Sequence, residues 1–258
     1  MSDKKRSGRS AKRLTWLAVG LGLLSVAGFA TANAIGADWR NARRDSAGIA
    51  PDPKVKTEAV VQIYAARAFS WRGTFAVHPW ISVKRAGADS YSIYQILGWR
   101  ARRGLPALTV QEGVPDRHWF GSRPDLLVDI QGGKAELIID KIEAAAKRYP
   151  FANEYTLFPG PNSNTFVAWI GRQVPELRLD LPPTAIGKDY LGPDRFFDDA
   201  ISGTGYQLSL AGLLGLTIAK EEGLEINLAG LGFGIDPGDL NLRLPFIGTL
   251  GPKTDTRR

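Results

Sequence analysis

Residues 157–171 read LFPGPNSNTFVAWIG. Pro159 and Pro161 bracket Gly160 and set a turn, and Asn162, Ser163 and Asn164 then lead into an apolar run. All three polar residues suit an N-cap, where a side-chain oxygen accepts from amides that the first helical turn leaves without partners. Phe166, Val167 and Ile170 follow at a spacing that buries one helical face. The stretch therefore predicts a capped helix packed on a core. The same geometry admits chemistry, because a helix N-terminus carries free N–H groups and the positive end of the macrodipole, both of which stabilise an oxyanion.

Ser163 at that position is a candidate nucleophile, and a serine needs a base within hydrogen-bond reach. The chain holds two histidines, His78 and His118. His78 lies among apolar neighbours in FAVHPWISVK, where packing gives no reason for a titratable ring; His118, in DRHWFG, is the loop alternative. Gln95, the polar exception in SIYQIL, is the candidate orienting group. Asn162, Asn164, Trp80 and His118 form the candidate binding set. The plainer alternative is a capped helix and a structural histidine with no further role.

Working outward, AVVQIYAAR (59–67), TFAVHPWISVK (74–84) and SYSIYQILGWR (90–100) are β-branched or aromatic and predict three strands joined by turns. Residues 101–132 read as loop with a short strand at 126–130. KAELIIDKIEAAAKRY (134–149) is the clearest helix: Ile138, Ile139, Ile142 and Ala146 share a face, Glu143 and Lys147 stand four apart, and Pro150 ends it. Residues 174–192 are proline-rich and predict an extended connector.

The C-terminal third changes character. Alternating segments such as Tyr206/Leu208/Leu210 and Leu224/Ile226/Leu228 stand between glycines, and LAGL occurs at 210–213 and again at 228–231. Period-2 alternation with glycine punctuation predicts a β-meander of successive hairpins, not a phosphate loop. The region reads as structural. A second reading rests its apolar face on lipid or on another subunit.

The 258 residues carry a formal charge of +7, of which six basic residues against Asp3 before residue 14 supply +5. The remainder is nearly balanced and lacks a basic stripe, which argues against nucleic acid. The absence of cysteine excludes disulfides, thiolate metal sites and a cysteine nucleophile, and two histidines exclude a histidine-rich metal site. No metal and no cofactor are expected. Residues 14–37 are free of charge and follow the basic cluster directly. That length crosses a hydrocarbon core of roughly 30 Å as a helix, and the basic flank predicts a cytoplasmic N-terminus with the body translocated. A cleaved signal ending at Ala32-Asn33-Ala34, with secretion of the body, is the rival; a buried core helix is the third reading.

AVHPWISVK (76–84), YSIYQILGWR (91–100) and FPGPNSNTFVAWI (158–170) together resemble the bacterial domain of unknown function 3750 family across about residues 59–250. That resemblance implies location and architecture, not an activity. More distantly, the order of strand-borne His, second polar strand residue and nucleophile at a helix start is similar to circularly permuted papain-like proteins. Lecithin-retinol acyltransferase relatives and permuted amidases carry a motif resembling Asn-Cys-Glu-x-Phe, and Asn162-Ser163-Asn164-Thr165-Phe166 stands in its place. The resemblance implies His78 as base and Ser163 as nucleophile, with serine replacing the cysteine those sites depend on.

The expected fold is α+β: basic segment 1–13, transmembrane helix or signal 14–37, linker 38–58, mostly antiparallel core 59–200 with a few helices, glycine-rich β-meander 201–251 and tail 252–258. The expected function is a membrane-anchored periplasmic module that binds an envelope ligand or protein partner through a papain-like-derived cleft. The alternative is a serine-dependent amide or ester hydrolase or acyltransferase.

Overall fold

Alternation in the first strands sets up a sheet with two covered faces. The computed structural model describes residues 38–252. The proposed membrane segment 14–37, the basic stretch before it and residues 253–258 lie outside them; among the described residues no helix is long and apolar enough to cross a membrane. Strands β1 (Val60–Arg67), β2 (Val77–Lys84), β3 (Tyr91–Ile96), β4 (Leu108–Gly113) and β5 (Asp125–Gln131) form an antiparallel sheet in the order β4-β3-β2-β1-β5. Along β2, Val77, Ile81 and Val83 enter the main core while Trp80 joins a second cluster on the opposite face.

Helices α2 (Gly133–Lys147) and α3 (Ser163–Gln173) cover the main-core face; α1 (Gly98–Ala101) is a single turn after β3. Ile138, Ile139 and Ile142 of α2 and Phe166, Val167 and Ile170 of α3 pack against Ile63, Ile81 and Ile130. The wet side of α2 differs from its sequence pattern. Glu143 pairs with Arg85 at 2.9 Å, as do Glu136 and Asp140, each at 2.8 Å, so it does not pair with Lys147. One guanidinium from the β2–β3 turn offers more geometry than an adjacent lysine on the same helix.

The opposite face is covered by the polar 38–58 stretch and by residues 114–122. Tyr64 stacks on Trp80 with ring centroids 5.7 Å apart, Trp80 Nε1 donates to the Pro115 carbonyl at 2.7 Å, and Tyr91 Oη donates to the Pro51 carbonyl at 3.0 Å. The buried Asp116 carboxylate accepts from Ser46 Oγ at 2.8 Å and from the Ile49 amide at 2.6 Å. The stretch read as a linker is thus fastened across the sheet. Strand β4 lies in the stretch read as loop: it is a half-exposed edge with only Leu108 and Val110 apolar, too short an alternation to mark a strand.

The C-terminal meander is a seven-stranded antiparallel sheet in sequence order: β6 (Phe197–Asp199), β7 (Gly205–Leu210), β8 (Leu214–Ala219), β9 (Gly223–Leu228), β10 (Leu231–Asp236), β11 (Asn241–Leu244) and β12 (Gly248–Leu250). Both LAGL copies are hairpin turns. Ala211 and Gly212, and again Ala229 and Gly230, hold positive φ, the left-handed pair that a tight hairpin requires.

The polarity of this sheet is inverted. Leu208, Leu216, Ile226 and Phe233 are cross-strand neighbours on the outward face, and Tyr206, Ile218, Leu224, Ile235 and Leu242 form a parallel row. Gln207, Thr217, Glu225, Asn227 and Arg243 point inward and are buried. They meet polar groups of the connector before β6. Arg243 binds Asp180 through two nitrogens at 2.6 and 2.8 Å and Glu225 at 2.8 Å. Lys188 reaches Glu225 at 2.6 Å and Asp189 at 3.2 Å, and Asn227 donates to Asp189 at 2.8 Å. Burial alone would raise the Glu225 pKa, but Lys188 and Arg243 outweigh it and hold the carboxyl below its ordinary range.

Removing Arg243 leaves Asp180 without its ion-pair partner and Glu225 with Lys188 alone, so Arg243→Met is expected to cost about 3–5 kcal/mol in urea denaturation. Because folded Glu225 binds its proton more weakly than the unfolded chain does, its contribution is complete above pH about 4.3 and is lost as pH falls further. Thermal unfolding from pH 7 downward checks this, with Glu225→Gln expected to flatten the acid limb.

Candidate functional site

The start of α3 is built by asparagines. Asn162 is the N-cap: its Oδ1 accepts from the amides of Asn164 at 2.9 Å and Thr165 at 3.2 Å, while Thr165 Oγ1 accepts from the Asn162 amide at 3.0 Å. Asn162 Nδ2 donates to the Leu157 and Ile186 carbonyls, both at 3.0 Å. Asn164 Nδ2 donates to Ile186 at 2.7 Å and to Val77 at 3.3 Å, which ties the helix start to the first residue of β2. The connector closes over this cap at Gly187, whose φ is +94° and whose missing Cβ would fall 2.2 Å from Asn162 Nδ2. Both candidate binding asparagines thus hold the helix start in place.

Two of the first helical amides are consumed by the cap. Among the described residues the Ser163 N–H has no acceptor, so it is the amide left for an incoming oxygen. Ser163, Asn162, Asn164 and His78 all line one cleft of about 530 Å³ that wraps the start of β2. Its remaining wall is mainly apolar, including Phe69, Trp71, Phe75, Trp99, Tyr155 and Leu157. No hydrogen bond joins His78 to Ser163.

His78 lies flat against Trp119, with ring centroids 3.7 Å apart and planes 8° from parallel. Burial pushes its pKa down to about 3, the Arg117 charge adds to the shift, and the Gln95 side chain opposes it. Gln95 Oε1 also accepts from Arg117 Nη2 at 2.7 Å. His78 is therefore neutral at pH 7 and a weak base. Its Nε2 and Asn164 Oδ1 are buried without a hydrogen-bond partner among the described residues. Such atoms cost about 1–3 kcal/mol each, and both are enclosed by protein and not open to the cleft.

The other candidates lie off this cleft, though Gln95 still acts on His78. Gln95 and His118 line a separate cavity of about 210 Å³ behind Trp119, and His118 Nδ1 contacts the Asp45 carbonyl at 3.1 Å. Trp80 supports the second face through Pro115. Trp119 and Arg117, which set the state of His78, were not among the sequence candidates, although both flank His118 in DRHWFG. Among the described residues no group of three His, Asp or Glu side chains could hold a metal ion.

Asn162→Ala is expected to cost about 1–2 kcal/mol in denaturant unfolding, the loss of an N-cap. The His78 shift gives a pH signature. Above pH about 6.5 the ring is neutral folded and unfolded; between there and about 3 only the unfolded chain binds the proton, so stability falls by about 1.4 kcal/mol per pH unit. Denaturant unfolding from pH 7 to 4 should show this slope in the wild type and its loss in His78→Asn.

The family model described as protein of unknown function (DUF3750) matches residues 58–190. That stretch runs from β1 through all three helices to the Gly187 closure, and it holds both His78 and Ser163. No curated protein and no solved structure matches the chain. With slightly more than half of its length under that match, the chain belongs to the DUF3750 family.

Proposed function

We propose that the protein is a membrane-anchored envelope module whose periplasmic body binds an amphiphilic ligand in the α3 cleft. The observation that carries this reading is the cleft wall. Aromatic and aliphatic side chains make up most of it, and its polar points cluster at the helix start: the Ser163 hydroxyl and N–H, with Asn162 and Asn164 on either side. An apolar body lies along the wall while an oxygen-bearing head reaches the helix start. The charge-free stretch 14–37 behind its basic flank supports the anchor and the periplasmic placement.

Titration with a fluorescent fatty acid tests the binding reading. Trp99 and Phe158 line the cleft and are 44% and 42% exposed, so their removal spares the core. Trp99→Ala with Phe158→Ala is expected to weaken binding about tenfold, from lost apolar contact. Unchanged affinity would sink the proposal.

One observation favours the second reading, a serine hydrolase or acyltransferase: a strand-borne histidine and a helix-start serine share a cleft, as in permuted papain-like sites. Against it stand the weak basicity of His78 and the absent Ser163–His78 hydrogen bond. A fluorophosphonate adduct on the wild type that Ser163→Ala abolishes would establish the enzyme; the binding reading expects no such adduct.

A further inference from the structure

The outward face of the meander sheet carries apolar side chains on every strand, with one charge, Asp199, at the β6 edge, and we infer that it is seated on a lipid bilayer. Six strand spacings of about 4.8 Å make it roughly 29 Å wide. Every outward strand position in β7, β8 and β9 is apolar or glycine, and Leu208, Ile226 and Ile235 are 51%, 44% and 50% exposed. A soluble surface rarely carries a contiguous apolar patch of this extent without a partner.

Four features name the bilayer as that partner. The described chain begins beside the sheet: Asp38, Asn41 and Ala42 line one groove with Phe246, from the β11–β12 turn. The described chain thus starts next to the β11–β12 turn. Second, the turns at this end are themselves apolar, with Leu213 and Ile247 exposed, whereas the opposite end carries Lys220 and Asp239. Third, a run of rings leads from Phe246 through Phe75 to Trp71, where Arg72 lies 5.1 Å from the indole. Trp39 and Trp99 are exposed with arginines beside their rings in the same way. Tryptophan and arginine pairs of this kind suit the headgroup layer, where a ring meets acyl carbon and a guanidinium meets phosphate. Fourth, the sheet is open and its polar side is fixed to the body, so it rests on the interface without crossing. A second copy would cover the rows equally well, but it would give no reason for the chain start or the Trp–Arg pairs.

The inference rests on the anchor reading of 14–37 for proximity, and it shares Trp71, Phe75 and Trp99 with the cleft wall. The full chain has no cysteine, so a single introduced thiol is a unique label. Ile226→Cys and Leu208→Cys carry an environment-sensitive fluorophore on the outward face, and Glu112→Cys carries it on the exposed edge of the other sheet. Each protein is reconstituted into vesicles of phosphatidylcholine and phosphatidylglycerol. The expected result is flotation with the vesicles, and about twofold lower emission at Ile226 and Leu208 when the acyl chains carry spin labels. Glu112 should keep its emission.

Flotation without quenching at the two outward sites would overturn the seating while leaving the anchor intact. Failure to float would overturn both. Equal quenching at Glu112 would remove the face specificity and overturn the inference. Disulfide-linked dimers of unlabelled Ile226→Cys, in place of quenching, would assign the face to a second copy. A probe shielded in vesicles and exposed only after residues 1–37 are deleted would assign it to the chain's own apolar segment.

Discussion

The buried charge network under the second sheet decides how the two halves of the molecule meet. Arg243, Glu225, Lys188 and Asp189 have almost no access to solvent, and each is compensated by another. Such pairs add little net stability, since desolvation offsets much of their attraction. Their effect is on register. A one-residue slip of any strand would turn its inward polar residue outward and drive an apolar side chain against the connector. The ion pairs penalise that alternative by leaving a charge buried alone. The outward apolar rows follow from this choice: with polar groups facing the connector, the alternate positions have only the outside left.

A second constraint acts at the start of α3. The two asparagines that flank Ser163 donate to Ile186, and one also holds Val77. This clasp fixes the serine at the cleft wall and leaves its N–H available. Trp119 and Arg117 meanwhile keep the His78 ring buried and uncharged. The cleft thus combines a precise polar corner with low basicity, a pairing better suited to recognition than to proton transfer.

Much of this architecture is legible in the chain. Asn162 caps the helix that FPGPNSNTFVAWI predicts, α2 buries the face its periodicity marks, and the LAGL repeats are turns of a meander. What escapes is whatever depends on the far side of an element. Alternation in 205–244 identifies strands but not which set faces inward, because that depends on the charges of a connector more than fifteen residues away. Strand β4 escapes because, as an exposed edge, it carries only two apolar residues, Leu108 and Val110. Glu143 is drawn from Lys147 to Arg85 by a turn that sequence spacing cannot place. DRHWFG draws the eye to its histidine, while the neighbouring Trp119 does the packing on His78.

The closure at Ile186–Gly187 has a mechanical consequence. Ile186 holds the asparagines at the cleft, and two residues later Lys188 and Asp189 enter the charge network beneath the second sheet. Four consecutive residues therefore bind the cleft's polar corner at one end and the inner lining of the meander at the other. The position of the helix start and the seating of the second sheet are thus set within one short run of backbone.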